Sequence, residues 1–110
     1  MQLESRPYLG EIISACDEIA SFAGHEADNF LNSRRDALAI ERLLEIIGEA
    51  ISRLRDKDPA VFEQITDGLA IIGMRNVIAH GYDAVDPARI VHVIRFRLPD
   101  LQKECLQLLG

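Results

Sequence analysis

The sequence predicts an all-α fold, an antiparallel bundle of four main helices plus one short helix. The apolar residues make up 48% of the 110 positions and are mostly Ile, Leu, Ala and Val, which suit packing between helices. Aromatic residues reach only 5% and Trp is absent, which argues against an aromatic-anchored β-sandwich. The apolar positions also recur at steps of three and four. We therefore expect one domain over residues 1–110 that folds without metal or disulfide.

The first helix is predicted from about Pro7 to Gly24, where the glycine favours a helix end. Cys16 lies on its apolar stripe, and Cys105 follows 89 positions later with no CxxC pair. We expect Cys16 to be a buried, inert thiol and the protein to be reduced and cytosolic. The stripe consists of Leu9, Ile12, Ile13, Cys16, Ile19, Ala20 and Ala23.

A long second helix is predicted to run to about Arg55. Asn32 or Ser33 is its expected N-cap, because a short polar side chain can accept a hydrogen bond from the first-turn amides. Its expected buried positions are Leu38, Ile40, Leu43, Leu44, Ile47, Ala50, Ile51 and Leu54.

A short helix and then the third main helix follow. Asp58 before Pro59 forms an N-cap and first-turn pair that opens the short helix. Thr66 and Asp67 are the expected caps of the next helix, over about Gly68–His80. We expect that helix to turn Leu69 and Ile72 inward, with Ile71 and Val77 beside them, and to end at Gly81.

The last helix is predicted to open at Asp86 and Pro87, which repeat the cap pattern. Pro99 is expected to kink or split it, because proline lacks an amide donor and clashes with the preceding turn. The apolar positions of this helix are Ile90, Val91, Ile94, Leu98, Leu101, Cys105 and Leu108.

The charge of the chain limits its partners. A formal net charge of −6 and a pI near 4.9 exclude indiscriminate coating of nucleic acid. The excess of acid is concentrated in residues 1–31, whereas residues 89–103 hold Arg89, Arg95, Arg97 and Lys103 against Asp100. A local basic site is therefore compatible with the acidic total. No apolar run approaches the roughly 18 residues of a membrane span, so we expect no membrane association.

Metal chemistry has little support in the sequence. Glu41, Glu45 and Glu49 recur every four residues, as in carboxylate ladders of di-iron bundles, but without the Glu-x-x-His partners of such sites. We expect a solvated helix face paired with Arg42 and Arg53; alternatively, Glu49 beside Gly48 lies at a helix crossing. The three histidines, His25, His80 and His92, are isolated.

The segment 73–82 gathers four polar side chains at a predicted helix end: Arg75, Asn76, His80 and Tyr82. On an ideal helix Asn76 and His80 share a face, whereas Arg75 and His80 diverge by about 140°. They can converge through the long Arg75 side chain and a loosened last turn, or a two-fold axis can bring a second copy alongside.

These groups suit cleavage of a phosphodiester without metal. Arg75 would bind the non-bridging oxygens, His80 would move protons to or from the 2′-hydroxyl and the leaving 5′-oxygen, and Asn76 would orient the imidazole. A purely structural interpretation is also open, with Arg75 a surface residue, His80 a helix cap and Tyr82 a lid on the core.

The pattern Arg75-Asn76-x-x-x-His80-x-Tyr82 resembles the R-x4-6-H-x-Y signature of HepT-like toxins, which belong to the HEPN superfamily of small all-α ribonucleases. The similarity extends to the stretches 39–43 and 47–50, to the segment Val85-Asp86 and to the Pro-interrupted last helix.

The resemblance implies a cytoplasmic homodimer and a metal-independent endoribonuclease that needs no cofactor. It assigns catalysis to Arg75 and His80, with Asn76 supporting them. It also implies a partner antitoxin, a minimal nucleotidyltransferase that uses ATP and magnesium to transfer AMP to Tyr82. Two alternatives remain at this point: a non-catalytic substrate-binding subunit of a two-chain nucleotidyltransferase, and a helical dimerisation module.

Overall fold

The structure is a computed structural model that describes residues 1–23, 33–79 and 86–110. Within these ranges the regular structure is entirely helical, which confirms the predicted all-α fold. A 3-10 turn at Leu3–Ser5 precedes α1 (Arg6–Ala23), α2 (Arg34–Lys57), α3 (Pro59–Glu63), α4 (Gly68–Ala79), α5 (Pro87–His92) and α6 (Leu98–Leu109), and a π-helical turn at Val93–Arg97 joins α5 to α6.

Helix α2 forms the centre of the bundle. It packs along both α1 and α4, while α6 packs against α1 and the short α3 covers the end of α2. Its buried residues recur at steps of three and four, so that one stripe of the helix faces the core. Burying each large aliphatic side chain contributes about 1.5–3 kcal/mol to folding. The most deeply buried aliphatic residues of the bundle are Leu9, Ile12, Ile19, Ile40, Leu44, Ile47, Ile51, Leu54 and Val61.

Two leucines predicted in the core are exposed instead, and Ala20 of the predicted stripe on α1 is exposed as well. Leu38 is 50% exposed and Leu69 is 67% exposed. Each lies two residues before a buried isoleucine, Ile40 or Ile71, and a step of two residues rotates a side chain by about 200° to the other side of the helix. Met74 takes the inward position on α4.

Two helix caps are confirmed. The Oγ of Ser33 accepts a hydrogen bond from the Asp36 amide at 3.3 Å, at the start of α2. The carboxylate of Asp86 accepts one from the Ala88 amide at 3.0 Å, at the start of α5. The expected helix ends at Gly24 and Gly81 lie outside the described residues.

Asp58 occupies the N-cap position of α3 and Pro59 lies in its first turn, as predicted, but the Asp58 side chain has other partners. Its side chain makes no cap bond to α3; instead Oδ2 accepts a 2.6 Å hydrogen bond from Ser5 Oγ and a 3.0 Å bond from the Gln2 amide. These two bonds, the Ser5 hydroxyl first, hold the pKa of the Asp58 carboxyl below its ordinary value of 3.8. The N-terminal 3-10 turn is thereby fastened to the end of α2.

The side chains of Thr66 and Asp67 also point away from the predicted cap. Thr66 Oγ1 donates to Glu104 Oε2 at 2.6 Å, and the Asp67 carboxylate accepts from Arg97 Nη1 at 3.1 Å. These contacts fasten the start of α4 to the last helix, a long-range partnership that local capping patterns do not reveal.

The last helix is interrupted just before Pro99, as predicted. In the π-helical turn Val93–Arg97, the Leu98 amide donates to the Val93 carbonyl, five residues back. Proline at position 99 has no amide for the next bond, and its ring would clash with the Arg95 carbonyl in a regular helix. The wider turn relieves that clash and restarts the helix as α6.

Both thiols are buried, as expected for Cys16. Burial is the main cause that raises the pKa of Cys16 and of Cys105 to about 12. At neutral pH they are protonated and therefore weakly nucleophilic. In the described part of the chain, no helix is long and apolar enough to cross a membrane.

Candidate active site

The site forms where α4 crosses α2 at Gly48. A Cβ atom placed on Gly48 would lie 2.3 Å from Arg75 Cβ and 2.7 Å from Arg75 Cγ. Real Cβ atoms do not approach this closely, so the crossing requires the absence of a side chain at this position. The Cβ and Cγ atoms of Arg75 therefore pack directly against the backbone of α2.

Two hydrogen bonds fix the Arg75 guanidinium. Nη2 donates to Glu49 Oε2 at 2.8 Å, and Nη1 donates to Asn76 Oδ1 at 2.8 Å. A guanidinium has five N–H donors in one plane, so donors remain for a ligand after these two bonds. The Arg75 side chain is 34% exposed, enough to reach such a ligand. The fold thus presents a positive fork in one orientation.

Glu49 connects this fork to a second arginine. Its other oxygen, Oε1, accepts from Arg53 Nε at 3.1 Å, so one carboxylate lies between two guanidinium groups. The neighbouring Glu45 pairs with Arg42 at 3.2 Å. Both interpretations of the acidic ladder are therefore correct for Glu49, which pairs with an arginine on its own helix and also lies at the helix crossing.

A polar groove of about 330 Å³ opens beside Arg75, between α1, α2 and α4. Three glutamates and two arginines line it, so the groove is polar without a strong charge of either sign. No cluster of three His, Cys, Asp or Glu side chains suited to a metal ion occurs among the described residues. The groove is lined by Glu11, Arg42, Glu45, Ile46, Glu49 and Arg75.

Of the four site residues predicted from the sequence, the structure brings together Arg75 and Asn76. The amide oxygen of Asn76 accepts from Arg75, so in this structure Asn76 orients the guanidinium. His80 and Tyr82 lie outside the described residues, and their roles remain predictions.

Sequence reasoning did not assign Glu49 to the site. The signal that could have found it is the adjacent Gly48, because a glycine inside an amphipathic helix often marks close approach of another backbone.

The face of α4 turned away from the core is open beside Arg75. Leu69 is 67% exposed, Asn76 is exposed, and a Cβ placed on Gly73 would meet nothing within 4 Å. In the described structure this face combines an apolar side chain, a glycine and an amide one turn apart.

Sequence comparisons point in one direction. The model of a family described as "Ribonuclease HepT-like" matches residues 12–108. The chain is 32% identical over 108 residues to "Putative RNase TTE0752" of Caldanaerobacter subterraneus subsp. tengcongensis, covering 94% of this chain and 93% of that protein. It is 29% identical over 105 residues to "Putative RNase MJ1216" of Methanocaldococcus jannaschii, covering 90% and 82%. No solved structure matches the chain.

Proposed function

Because this chain belongs to the HepT-like ribonuclease family, we propose that it is a metal-independent endoribonuclease that cuts RNA at a site built on Arg75 and His80. The observation that carries the proposal is the guanidinium of Arg75, which Glu49 and Asn76 hold in one orientation at the edge of a groove. A fixed positive fork is what stabilisation of a phosphorane-like transition state requires.

The proposed reaction uses the RNA's own 2′-hydroxyl as nucleophile. The 2′-oxygen attacks phosphorus and the bond to the 5′-oxygen breaks, leaving a 2′,3′-cyclic phosphate and a 5′-hydroxyl. Arg75 binds the non-bridging oxygens and offsets the charge that develops on them. His80 moves the protons, because imidazole both accepts and donates them near neutral pH. Asn76 supports the site by holding Arg75.

We include a homodimer in the proposal. Arg75 and His80 diverge by about 140° on an ideal helix, so one helix does not aim both at the same atom. A second copy related by a two-fold axis would supply the missing partner. The open face of α4, with Leu69 exposed and Gly73 unobstructed, supports close approach of that copy.

The proposal also covers regulation. The chain would act as the cytoplasmic toxin of a toxin–antitoxin pair, and a minimal nucleotidyltransferase antitoxin would transfer AMP from ATP to Tyr82. An anionic adenylyl group a few residues from Arg75 would compete for its guanidinium and repel RNA phosphate. Incubation with the partner, ATP and magnesium should then add AMP to the intact chain but not to Tyr82→Phe, as read by mass spectrometry.

The test of the ribonuclease is cleavage of a labelled single-stranded RNA by the purified chain with EDTA present. His80→Ala should lower kcat/KM by about 100-fold or more, the scale of a lost general acid or base, and leave the helical circular dichroism unchanged. Undiminished cleavage by His80→Ala would refute the assigned chemistry. Cleavage absent from the chain alone, with nucleotide transfer to a third molecule only when the partner is added, would favour a nucleotidyltransferase subunit instead.

A further inference from the structure

An exposed aromatic pair lies where α5 continues into the π-helical turn. Phe96 is 57% exposed, and its ring centroid is 5.0 Å from that of His92 at an interplanar angle of 46°. A single exposed phenylalanine ring is common on protein surfaces and needs no explanation. Two rings in contact with each other beside basic residues form a more specific arrangement.

His92 and Phe96 are four residues apart, a spacing that places both rings on one face of a helix. The widened turn at Val93–Arg97 changes the angular position of each residue relative to α5. Val93 and Ile94 stay buried while Phe96 and its two neighbouring arginines, Arg95 and Arg97, remain exposed. The proline that forces the wider turn therefore also shapes this surface.

A hollow of about 150 Å³ lies beside His92, between α4 and α5. Ala70, Ile71, Met74 and Val93 supply its apolar wall, whereas Arg89, His92 and Arg97 stand at the rim with Asp67. Asp67 binds Arg97 at 3.1 Å and so holds that guanidinium beside the opening. The hollow thus combines an apolar interior with a predominantly basic edge.

The positive charge of this segment indicates which kind of ligand the surface can bind. Residues 89–103 contain Arg89, Arg95, Arg97 and Lys103 against Asp100, in a chain whose net charge is −6. A polyanion is repelled by most of the molecule and attracted here. A second copy of the chain would instead bring an equally basic segment against it if the same surface paired with itself.

We propose that this surface, defined as the platform of Arg89, His92, Phe96 and Arg97, binds an unpaired nucleotide of an RNA. The base stacks on the exposed Phe96 ring, His92 contacts the base edge beside the hollow, and Arg89 and Arg97 contact the flanking phosphates. A paired base presents no free face to the Phe96 ring, so the platform selects single-stranded RNA. The inference rests on the proposed function, because it names the substrate class of the same enzyme.

Helix α4 carries Arg75 and also forms one wall of the hollow beside the platform. Ala70, Ile71 and Met74, which line the hollow, precede Arg75 on α4. An RNA strand held at the platform therefore lies against the helix that carries Arg75. This arrangement would let an acidic protein retain one class of RNA while repelling others.

The experiment measures binding of a fluorescein-labelled single-stranded 2′-O-methyl oligoribonucleotide to the full chain by anisotropy. The methylated 2′-oxygen cannot act as nucleophile, so binding is read without cleavage. Phe96→Ala should weaken binding about tenfold, within the range for loss of one stacked base. Leu106→Ala is the matched control, since Leu106 is a comparably exposed apolar residue on α6 at 53%; its affinity should equal that of the unmodified chain.

A second variant tests the phosphate contact. Arg89→Ala should lower the slope of log affinity against log salt by about 0.7, the value for one contact to a single strand. Equal affinity of Phe96→Ala and the unmodified chain would overturn the platform, as would equally tight binding of the matching duplex. A change in molecular mass of Phe96→Ala by light scattering, with unchanged RNA affinity, would also overturn it and identify a self-association surface.

The outcomes separate this inference from the proposed function. If the chain cuts no RNA but binds the methylated strand in a Phe96-dependent way, the platform stands and the nuclease assignment falls. If the chain cuts RNA and Phe96→Ala leaves binding unchanged, the platform falls alone.

Discussion

Asp58 and Arg75 are both charged, and the fold holds each of them by two hydrogen bonds, yet the two side chains are placed very differently. Asp58 is 4% exposed, and its Oδ2 accepts from Ser5 and Gln2 at the N-terminal end of the bundle. The Arg75 side chain is 34% exposed at the edge of a groove. Asp58 uses its charge to fasten one part of the chain to another.

In the proposed function, Arg75 keeps part of its hydrogen-bonding capacity for the RNA phosphate. Its bonds to Glu49 and Asn76 fix the plane of the guanidinium and leave other N–H donors directed elsewhere. If the proposed function is correct, the difference teaches that a charge held for stability has all its partners within the protein, whereas a charge held for catalysis is oriented by the protein and left accessible. Removing the first should reduce stability, and removing the second should reduce activity.

The largest expected effect is that of Arg75→Ala on RNA cleavage. Loss of a positioned donor to the transition-state oxygens should lower kcat by about 100- to 1000-fold. The free energy of unfolding should change little, because the side chain is partly exposed and its ion pair with Glu49 is of the kind that contributes about 1 kcal/mol or less. Cleavage kinetics and urea unfolding measure the two effects separately.

Arg53→Ala is the matched control, because Arg53 binds the same carboxylate of Glu49 from the solvated face of α2. Its kcat should stay within about threefold of the unmodified chain, consistent with a weak exposed ion pair. Equal losses of activity in the two variants would show that Arg75 acts through the ion-pair network alone.

Gly48→Ala should lower both the stability and the cleavage activity, because it changes the crossing of α2 and α4 against which Arg75 packs. The new methyl group would overlap Arg75 Cβ at 2.3 Å, so α4 must move relative to α2. Overpacking of this kind costs about 1–3 kcal/mol, and the displaced guanidinium should lower kcat. Gly10→Ala in α1 is the control: nothing lies within 4 Å of its new methyl, and it should stabilise the protein by about 0.5–1 kcal/mol.

Thermal unfolding of the two glycine variants decides between these expectations. If Gly48→Ala were as stable and as active as the unmodified protein, the close approach of α2 and α4 would not be what positions Arg75.

The bundle was predictable because its signals are local. The steps of three and four on α2, the Ser33 and Asp86 caps and the interruption near Pro99 all depend on neighbours within a few residues. Leu38 and Leu69 failed for a related reason. Hydrophobic character alone does not say which side of a helix meets the core, and both leucines lie on the side opposite a buried isoleucine.

The site was predictable only in part. The pattern of Arg75 and Asn76 is local and was found, whereas the Glu49 partnership spans 26 positions and depends on where α4 crosses α2. The same applies to Asp58, whose partners Ser5 and Gln2 lie more than 50 positions away. A short polar residue before proline suggests a cap, and nothing in the local sequence shows that a distant hydroxyl will take its carboxylate.

Glu49→Gln should separate binding from catalysis. Removing the negative charge beside Arg75 takes away a competitor for RNA phosphate, so KM should fall by about threefold. The neutral amide oxygen accepts a weaker hydrogen bond than the carboxylate and holds the guanidinium less firmly, so kcat should fall by about three- to tenfold. Glu45→Gln is the control, because Glu45 lines the same groove but pairs with Arg42; its kcat should be unaffected. A Glu49→Gln protein with unchanged kcat and KM would remove Glu49 from the positioning of Arg75.

The smallest expected effect is that of Asp58→Asn on stability at low pH. It tests the structural role assigned to Asp58. The hydrogen bonds from Ser5 and Gln2 keep the pKa of Asp58 below 3.8 in the folded chain, whereas the unfolded chain has the ordinary value. The ionised carboxylate therefore contributes stability above about pH 4, and that contribution is lost as the pH falls through the folded-state pKa. The midpoint of urea unfolding, followed from pH 7 to pH 3, should fall less steeply with acid for Asp58→Asn than for the unmodified chain.

Cleavage activity at neutral pH should be equal in the two proteins, because Asp58 contacts the N-terminal turn and lies outside the groove of Arg75. Parallel pH profiles of the two midpoints would show that the bonds to Ser5 and Gln2 do not favour the charged form of Asp58.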